Sequence, residues 1–453
     1  MNAALNLGTR DCMVIETPGS NSVFSPWNLM LKEKDIQKQE MLAAGNNMND
    51  QDLVDTLLNG IEEAVQNLEK MKVKLRPSNL GVIPDYPNPG KAVRDIYMQR
   101  LEEKGHQILG GRVVEFFMND GRIVGVGAET TSGKRIEVLC NFLIIASGGL
   151  TGLFEYHTGS PQVDGSVLAL GLRSGLLLRD LEFTMFHPFL IVDKRFPRCL
   201  VSGDILTKMN YQDEDGNEFL SRKITKALRE NRHHYVFPQM TREFYAQSLK
   251  GKIFGHIDAS DKWFDEFKNQ NEFGRIFKRF TKDEAGKIQL HPAAHFSIGG
   301  LAIDNRARTN HSNVYAAGEA SAGLHGSNRI GGLAVLEALI FGKIAAQSIN
   351  GSGNARAPLC RGCDSVKLRS PSAELKSLVW ENLGPVKNKE GLEKIMNFLD
   401  NKEKISASEE LIKVIAKTCL LRRESIGAFC REDLPVKKNS KSSYIEKSKI
   451  TFR

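Results

Sequence analysis

The sequence predicts an α/β protein in which a doubly wound, Rossmann-like domain is split by an inserted α+β domain and followed by a helical domain. Asp11–Glu16 (DCMVIE) has the form of a short buried strand that ends in an acid. Asn141–Ala146 (NFLIIA) is predicted to be a fully buried strand and is followed by Ser147-Gly148-Gly149. Asn313–Ala317 (NVYAA) is a second predicted strand and is followed by Gly318-Glu319. Small residues after a buried strand let a ligand approach the backbone at the carboxyl edge of a parallel sheet.

The other elements follow from hydrophobic spacing and turn residues. Alternating or apolar stretches joined by Gly-containing turns predict an antiparallel meander with the strands Gly111–Asn119, Arg122–Glu129 and Arg135–Leu139. Apolar residues at helical spacing predict helices in Met1–Leu7, Met48–Leu68, Leu333–Ile349 and, as a C-terminal helical domain, Leu375–Leu421.

Composition excludes several classes of protein. No apolar run reaches the roughly 18 residues of a membrane span, and Met1–Arg10 lacks the layout of a signal peptide. Seven cysteines, an odd number, fit a reducing compartment, so we expect a cytoplasmic protein. The formal charge of +8 is mild, and no basic stripe with interleaved aromatics indicates nucleic-acid binding. Much of the excess lies in the last seventeen residues, which predicts a solvated tail or, alternatively, a surface for an acidic partner.

Asp11–Glu16 resembles the second half of a nucleotide-binding βαβ unit. In such a unit, an acid about 20 residues after a Gly-rich turn binds the ribose hydroxyls, and Glu16 stands where that acid belongs. The strand and glycine loop that should come first are not found ahead of it. We therefore expect the chain to begin just after them.

An ordered series of motifs covers nearly the whole chain: LIIASGG (Leu143–Gly149), Asp164-Gly165, LEFTMFHPF (Leu181–Phe189), HPAAHFSIGGLAID (His291–Asp304), NVYAAGEASAGLHGSNRIGGLAVLEALIFG (Asn313–Gly342) and LLRRESIGAFCREDLP (Leu420–Pro435). The series resembles the FAD-dependent flavoprotein subunits of fumarate reductase and succinate dehydrogenase, together with L-aspartate oxidase. The resemblance implies a split FAD-binding domain (1–153 and 293–352), a capping domain (154–292), a linker (353–371) and a helical domain with a basic tail (372–453).

The resemblance also implies a catalytic layout. His187, His295 and Arg329 match residues that hold the carboxylates of a four-carbon dicarboxylate. Arg242 matches the arginine that moves the proton. Ser202 stands where the family usually has a threonine that donates a hydrogen bond to the substrate. These residue types suit the task, because a buried dianion needs charge-assisted donors and Arg presents a planar fork to a carboxylate.

Two departures from the family pattern concern proton movement and the flavin. Gly203 stands where the family usually has a glutamate of the proton route, and Asp204 is the candidate replacement. The loop Ser20–Asn28 (SNSVFSPWN) replaces the usual AQGG and contains no histidine, so we expect FAD to be bound non-covalently. The expected FAD contacts are Glu16 at the adenosine ribose, Ser147, Gly148 and Gly149 along the pyrophosphate, Gly318 and Glu319 at the ribityl–phosphate, and the helix start near Gly331 and Gly332 at the isoalloxazine.

Each assigned residue could instead have a purely structural role. His187 could be an ordinary core histidine, Arg329 could pair with Glu337, and Arg242 could be a common helix residue. No metal site is predicted, because Cys360/Cys363 and His233-His234 each lack the further ligands that a zinc site needs.

Three functions remain open. The first is a FAD-dependent oxidoreductase that interconverts fumarate and succinate by hydride transfer at flavin N5, which Gly331-Gly332 favours. The second is L-aspartate oxidase, giving iminoaspartate, which the short C-terminal region and total length favour. The third is a non-catalytic paralogue without FAD. The first is our main prediction, with a small dicarboxylate as substrate and an iron–sulfur electron-transfer subunit as a partner that the resemblance implies.

Overall fold

The computed structural model describes residues 1–453 except 9–10, 18–24, 26, 197, 202–205, 207, 231–235, 258–286, 353–363, 368–370 and 448. Its helices include α1 (Asn2–Asn6), α2 (Lys34–Ala44), α3 (Gln51–Lys70), α4 (Pro89–Glu103), α5 (Ser166–Arg173), α6 (Arg222–Arg229), α7 (Phe237–Ser248), α8 (Ala334–Asn350), α9 (Ala373–Leu383), α10 (Lys389–Asp400) and α11 (Ala407–Leu421). No helix within these residues is long and apolar enough to cross a membrane.

Its strands are β1 (Met13–Glu16), β2 (Leu29–Met30), β3 (Leu75–Ser78), β4 (Gly81–Pro84), β5 (Gln107–Asn119), β6 (Arg122–Thr130), β7 (Arg135–Leu139), β8 (Leu143–Ile145), β9 (Leu178–Arg179), β10 (Thr184–Ile191), β11 (Met209–Asp213), β12 (Ile253–Ile257), β13 (Lys287–Ser297), β14 (Gly300–Ala302), β15 (Val314–Ala316), β16 (Ser321–Ala322), β17 (Asp364–Lys367), β18 (Ser443–Glu446) and β19 (Lys449–Phe452).

The first sheet joins β1 to the predicted meander in the order β1-β5-β6-β7. Strand β1 runs parallel to β5, with Glu16 opposite Gly110, so Glu16 lies at the carboxyl end of a parallel pair. Between β5 and β6, Asp120 and Gly121 have φ values of 47° and 73°. This left-handed pair is the geometry that a two-residue hairpin turn requires, and it confirms the predicted turn.

Strands β8 and β15 form a separate parallel pair. Among the described strands, β1 pairs only with β5 and β8 only with β15, and both strands line one large cavity. The prediction that Asn141–Ala146 is fully buried is therefore wrong. Within β8, Ile145 is buried but Leu143 and Ile144 are only partly so, because they face this cavity.

The region predicted as the capping domain contains the antiparallel sheet β10-β13-β12-β11. Helix α7 packs on it through Met240 and Phe244, which share a core cluster with Phe189 and Leu290. Strands β10 and β13 are long neighbours that also carry residues of the main core, such as Phe186 and Phe296. Strands β10 and β13 therefore connect the predicted capping domain to the main core. The exact boundaries between the domains stay predictions.

The C-terminal segment contains three of the described helices and a β-hairpin. Helix α11 begins with a capping box between Ser406 and Glu409. Beyond the helices, β18 and β19 form a hairpin and β18 pairs with β9. The lysines of the expected solvated tail, such as Lys447 and Lys449, are exposed. The segment is nevertheless not a loose tail, because Ser443 and Ile445 are buried in the paired strand β18.

Candidate functional site

One cavity of about 4040 Å³ brings the predicted site residues together. Every predicted site residue that the structure describes lines it: Glu16, Ser147, Gly148, Gly149, His187, Arg242, His295, Gly318, Glu319, Arg329, Gly331 and Gly332. Ser202, Gly203, Asp204, His233-His234 and Cys360/Cys363 lie outside the described residues, as does most of Ser20–Asn28. We call the wall with His187, Arg242, His295 and Arg329 the histidine end, and the wall around Glu16 the Glu16 end.

Two neighbouring strands hold the histidines at the histidine end. His187 of β10 lies opposite Ala293 of β13, two residues before His295. The two imidazole centroids are 5.2 Å apart. The pairing of β10 with β13 shifts register on both sides of His187, and such irregularities turn a side chain away from the regular pleat. The rings are therefore close enough to act on one small ligand.

His295 is neutral at pH 7. Burial lowers the pKa of His295 to about 3, and the charge of Arg329 acts in the same direction. The Oγ1 atom of Thr158 lies 2.9 Å from Nδ1 of His295. A neutral imidazole has one N–H and one acceptor nitrogen, so a hydroxyl that donates to Nδ1 leaves Nε2 as a donor. Thr158 was not predicted from the sequence, since a single threonine in a loop belongs to no periodic pattern or motif.

Arg329 is a buried cation without a carboxylate within ion-pair distance among the described residues. Its Nη1 donates to the carbonyl of Ile330, its guanidinium lies 4.5 Å from the Phe296 ring centroid, and its Nε has no hydrogen-bond partner. Burial lowers the pKa of Arg329 to about 10, which still leaves it protonated at pH 7. Glu337, the alternative ion-pair partner of Arg329, instead has its Oε2 atom 3.1 Å from Nε2 of His325. An anionic ligand would therefore complete the environment of Arg329.

Arg242 enters the cavity wall from α7. The helix begins at Phe237, with Pro238 in its first turn, so Arg242 lies inside the helix. Phe237 and Pro238 line the same cavity, and the ring of Phe237 lies 5.0 Å from that of His187. Helix α7 thus brings a second arginine to the histidine end.

Glycines form a close backbone cradle between the two ends. A Cβ on Gly149 would lie 2.2 Å from the Ser297 hydroxyl, and Gly148 has φ +77°. Glu319 accepts a hydrogen bond of 3.0 Å from the backbone N–H of Ser297. Helix α8 begins at Ala334, one residue after the predicted start at Leu333, and Ala334 also lines the cavity. The free N–H groups of a helix start favour negative charge on a ligand.

The Glu16 end contains an ion pair that sequence reasoning missed. Arg94 of α4 donates from Nε to Glu16 Oε1 at 2.7 Å and from Nη2 to Oε2 at 2.5 Å. Nearby on the cavity wall, Arg112 donates to the buried carboxylate of Asp164 at 2.8 Å. Neither arginine belongs to a motif, and a pairing across 78 residues leaves no local signal in the sequence.

Comparison with known proteins assigns the class. Residues 19–335 match the FAD binding domain family, and the chain belongs to that family. It is similar to the L-aspartate oxidase of Saccharolobus solfataricus, at 24% identity over 431 residues, covering 89% of this chain and 85% of that protein. It is also 27% identical to the L-aspartate oxidase of Bacillus subtilis over 374 residues, covering 76% and 68%. Its fold is similar to E. coli quinol fumarate reductase, with TM-score 0.80, 16% identity and coverage of 100% and 94%.

The chain is therefore a FAD-dependent oxidoreductase, and FAD is its cofactor. The predicted resemblance and fold class are confirmed. The cavity fits the cofactor, because its glycine cradle admits a group close to the backbone and its volume exceeds the ~300–1,000 Å³ of an ordinary ligand pocket. The role of each residue stays a prediction.

Proposed function

We propose that this protein oxidises L-aspartate to iminoaspartate. Several relatives with similar sequences carry the name L-aspartate oxidase, so they support the alternative of the sequence analysis better than its main prediction of fumarate and succinate. The three substrates share the C4 dicarboxylate skeleton, and it is this skeleton that the histidine end suits. Bound FAD would accept the hydride from the substrate Cα, while a proton leaves the substrate nitrogen.

The buried, incompletely satisfied guanidinium of Arg329 carries the proposal. A buried cation whose Nε lacks a partner is costly, and a carboxylate that accepts a bidentate pair of hydrogen bonds removes that cost. Arg242 supplies a second guanidinium on the same cavity wall. Together the two guanidinium charges balance the double negative charge of a C4 dicarboxylate, while only Arg329 is assigned to hold a carboxylate.

His187 and His295 add hydrogen-bonding groups to the same cavity wall as the two arginines. Because the pKa of His295 is lowered to about 3, it contributes an N–H rather than a charge at pH 7. His187 lies beside it and completes the pair on the neighbouring strand. Arg329 is buried and His295 is partly buried at this wall, and a polar contact that is shielded from water is stronger than one in bulk solvent. We assign proton movement to Arg242, as the family resemblance implies.

Fumarate reduction or succinate oxidation is the second candidate. The fold similarity to E. coli quinol fumarate reductase and the sequence Gly331-Gly332 favour it. In that case an iron–sulfur subunit would be the electron-transfer partner. The expected cytoplasmic location accompanies either candidate, and the described cysteines Cys12, Cys140, Cys199, Cys419 and Cys430 are free thiols.

Steady-state assays of the FAD-loaded protein separate the candidates. One assay supplies L-aspartate and oxygen and measures hydrogen peroxide; the other supplies fumarate and a reduced dye and follows dye oxidation. L-aspartate oxidation predicts peroxide in the first assay. Turnover of fumarate without any L-aspartate oxidation would reject our proposal in favour of the second candidate. An absence of turnover in both assays would reject both.

A further inference from the structure

We propose that Arg94 is a positioning residue of the FAD site, which orients the Glu16 carboxylate to accept hydrogen bonds from the two hydroxyls of the adenosine ribose. The proposal rests on the assignment of Glu16 to that ribose. It is independent of the substrate, because it concerns cofactor binding alone.

The geometry of the pair is the first support. Arg94 uses Nε and Nη2, one for each carboxylate oxygen, so that the guanidinium and carboxylate form a fork-to-fork pair. A carboxylate has about four acceptor positions, and this pair occupies two of them. One acceptor position therefore remains on each oxygen. Two vicinal hydroxyls of a ribose are the kind of group that uses two such positions together.

The location of the pair is the second support. Glu16 ends β1, and ligands of α/β sheets bind outside the carboxyl ends of parallel strands. Both Glu16 and Arg94 line the cavity that contains the glycine cradle. Their side chains are only 12% and 28% exposed. The pair is thus at the cavity wall, and a ligand there would cover it further.

The electrostatic consequence explains why an arginine is needed. When a ligand covers Glu16, its carboxylate loses most of its remaining water, which is costly for an isolated charge. A bidentate arginine offsets that cost and holds both carboxylate oxygens in place as acceptors. In agreement, the hydrogen bond to Glu16 raises the pKa of Arg94.

A simple tether between α4 and β1 is the competing explanation. Helix α4 is already fixed by its buried residues Val93, Tyr97 and Leu101, and the Tyr97 hydroxyl bonds Asn2. A tether would affect folding stability and the binding of any flavin alike. A ribose-positioning role would affect only ligands that carry the adenosine ribose.

The experiment titrates apoprotein with FAD, FMN and FAD containing 2′-deoxyadenosine, using flavin fluorescence. For Arg94→Ala we expect roughly 10- to 100-fold weaker binding of FAD, from the loss of charge-assisted hydrogen bonding, and unchanged binding of FMN. Arg94→Ala should bind FAD and its 2′-deoxy analogue with nearly equal affinity, whereas the unaltered protein should prefer FAD. The matched control is Arg100→Ala on the same helix, because Arg100 pairs only with the exposed Glu103. Arg100→Ala should leave the affinities for all three flavins unchanged.

Glu16→Gln and the double variant complete the test. If Arg94 acts through Glu16, the two losses of FAD affinity are non-additive. Should Arg94→Ala fail to fold, Arg94→Lys keeps the charge without the fork and should still weaken FAD binding several-fold while FMN binding stays unchanged. Three results would each overturn the proposal: equal losses for FAD and FMN, no loss of FAD affinity, or tighter FAD binding. Additive losses would also overturn it.

Discussion

The two ends of the cavity are built differently. At the histidine end, His187 and His295 sit on adjacent strands, and Arg329 is buried without a carboxylate partner among the described residues. At the Glu16 end, the acid is already paired with Arg94, and β1 has no second strand neighbour among the described strands. The first end thus presents a buried cation without a carboxylate partner among the described residues, and the second presents a charge-neutral pair with remaining acceptor positions.

The difference supports the proposal that one end of the cavity binds the substrate and the other binds the cofactor. The histidine end is positively charged and suits a small dianion, whereas the Glu16 end offers hydrogen-bond acceptors to hydroxyl groups. Changes at the first end should therefore alter turnover and substrate affinity, and changes at the second should alter cofactor affinity. The following predictions test this separation, beginning with the largest effect.

Replacing Arg329 should have the largest effect. Arg329→Met removes the buried cation, and we expect kcat/KM for L-aspartate to fall about 1,000-fold, consistent with the roughly 2–5 kcal/mol of a buried charge pair. FAD affinity should change little. Steady-state kinetics and FAD titration measure the two quantities, and Arg308→Met is the control because Arg308 pairs with Asp304 at the surface. Retention of kcat/KM in Arg329→Met would remove the main support for the proposed function.

The buried histidines should make the protein less stable in acid. Burial lowers the pKa of His295 to about 3 and of His291 to about 4, below the ordinary value of 6.5. The unfolded chain therefore binds more protons than the folded one between those values, so the free energy of unfolding falls as pH drops from 7 toward 4. We expect a contribution on the order of a few kcal/mol. Urea titrations at several pH values measure it, and His295→Asn should flatten the dependence; an unchanged slope would contradict the assignment.

Thr158 should have a smaller effect, confined to the histidine end. Thr158→Val removes the hydroxyl beside His295 Nδ1, and we expect kcat/KM to fall about 10-fold, the size of one neutral hydrogen bond. Thr158→Ser keeps the hydroxyl and should restore most of the activity. Nitrogen NMR of labelled histidine should show a changed tautomer balance in Thr158→Val alone. The same tautomer balance in both variants would mean that Thr158 does not position His295.

Glu16→Gln should leave the histidine end unaffected. At saturating FAD, KM for L-aspartate should stay within about twofold of the unaltered value, because Glu16 contributes to the other end of the cavity. Steady-state kinetics over a range of FAD concentrations measure this. A large rise in KM at saturating FAD would show that the two ends are coupled and would contradict the proposed separation of their roles.

The features that could be predicted from the sequence are those with a local periodic pattern or a recognisable motif. The helix in Met48–Leu68 appears as α3, because its leucines recur at helical spacing and Asp50 caps its start. The Asp120-Gly121 turn was predictable because Gly tolerates positive φ. The cavity residues followed from motif resemblance, since residues such as His187 and His295 lie in short motifs within adjacent strands.

What the sequence could not predict depends on partners far apart in the chain. Arg94 pairs with Glu16, and Thr158 contacts His295 across 137 residues, so neither contact has a local signature. The same holds for the hairpin at the C-terminus. Its lysines suggested a solvated tail, but burial of Ser443 and Ile445 against β9 decides its conformation. Tertiary packing overrides composition there.

The most direct test of the proposed function is the reduction of the bound flavin without oxygen. The FAD-loaded protein is mixed anaerobically with L-aspartate or with succinate, and the visible flavin absorbance is followed in a stopped-flow instrument. L-aspartate should bleach the absorbance, and succinate should leave it unchanged. Bleaching by succinate with no response to L-aspartate, or no bleaching by either compound, would contradict the proposal.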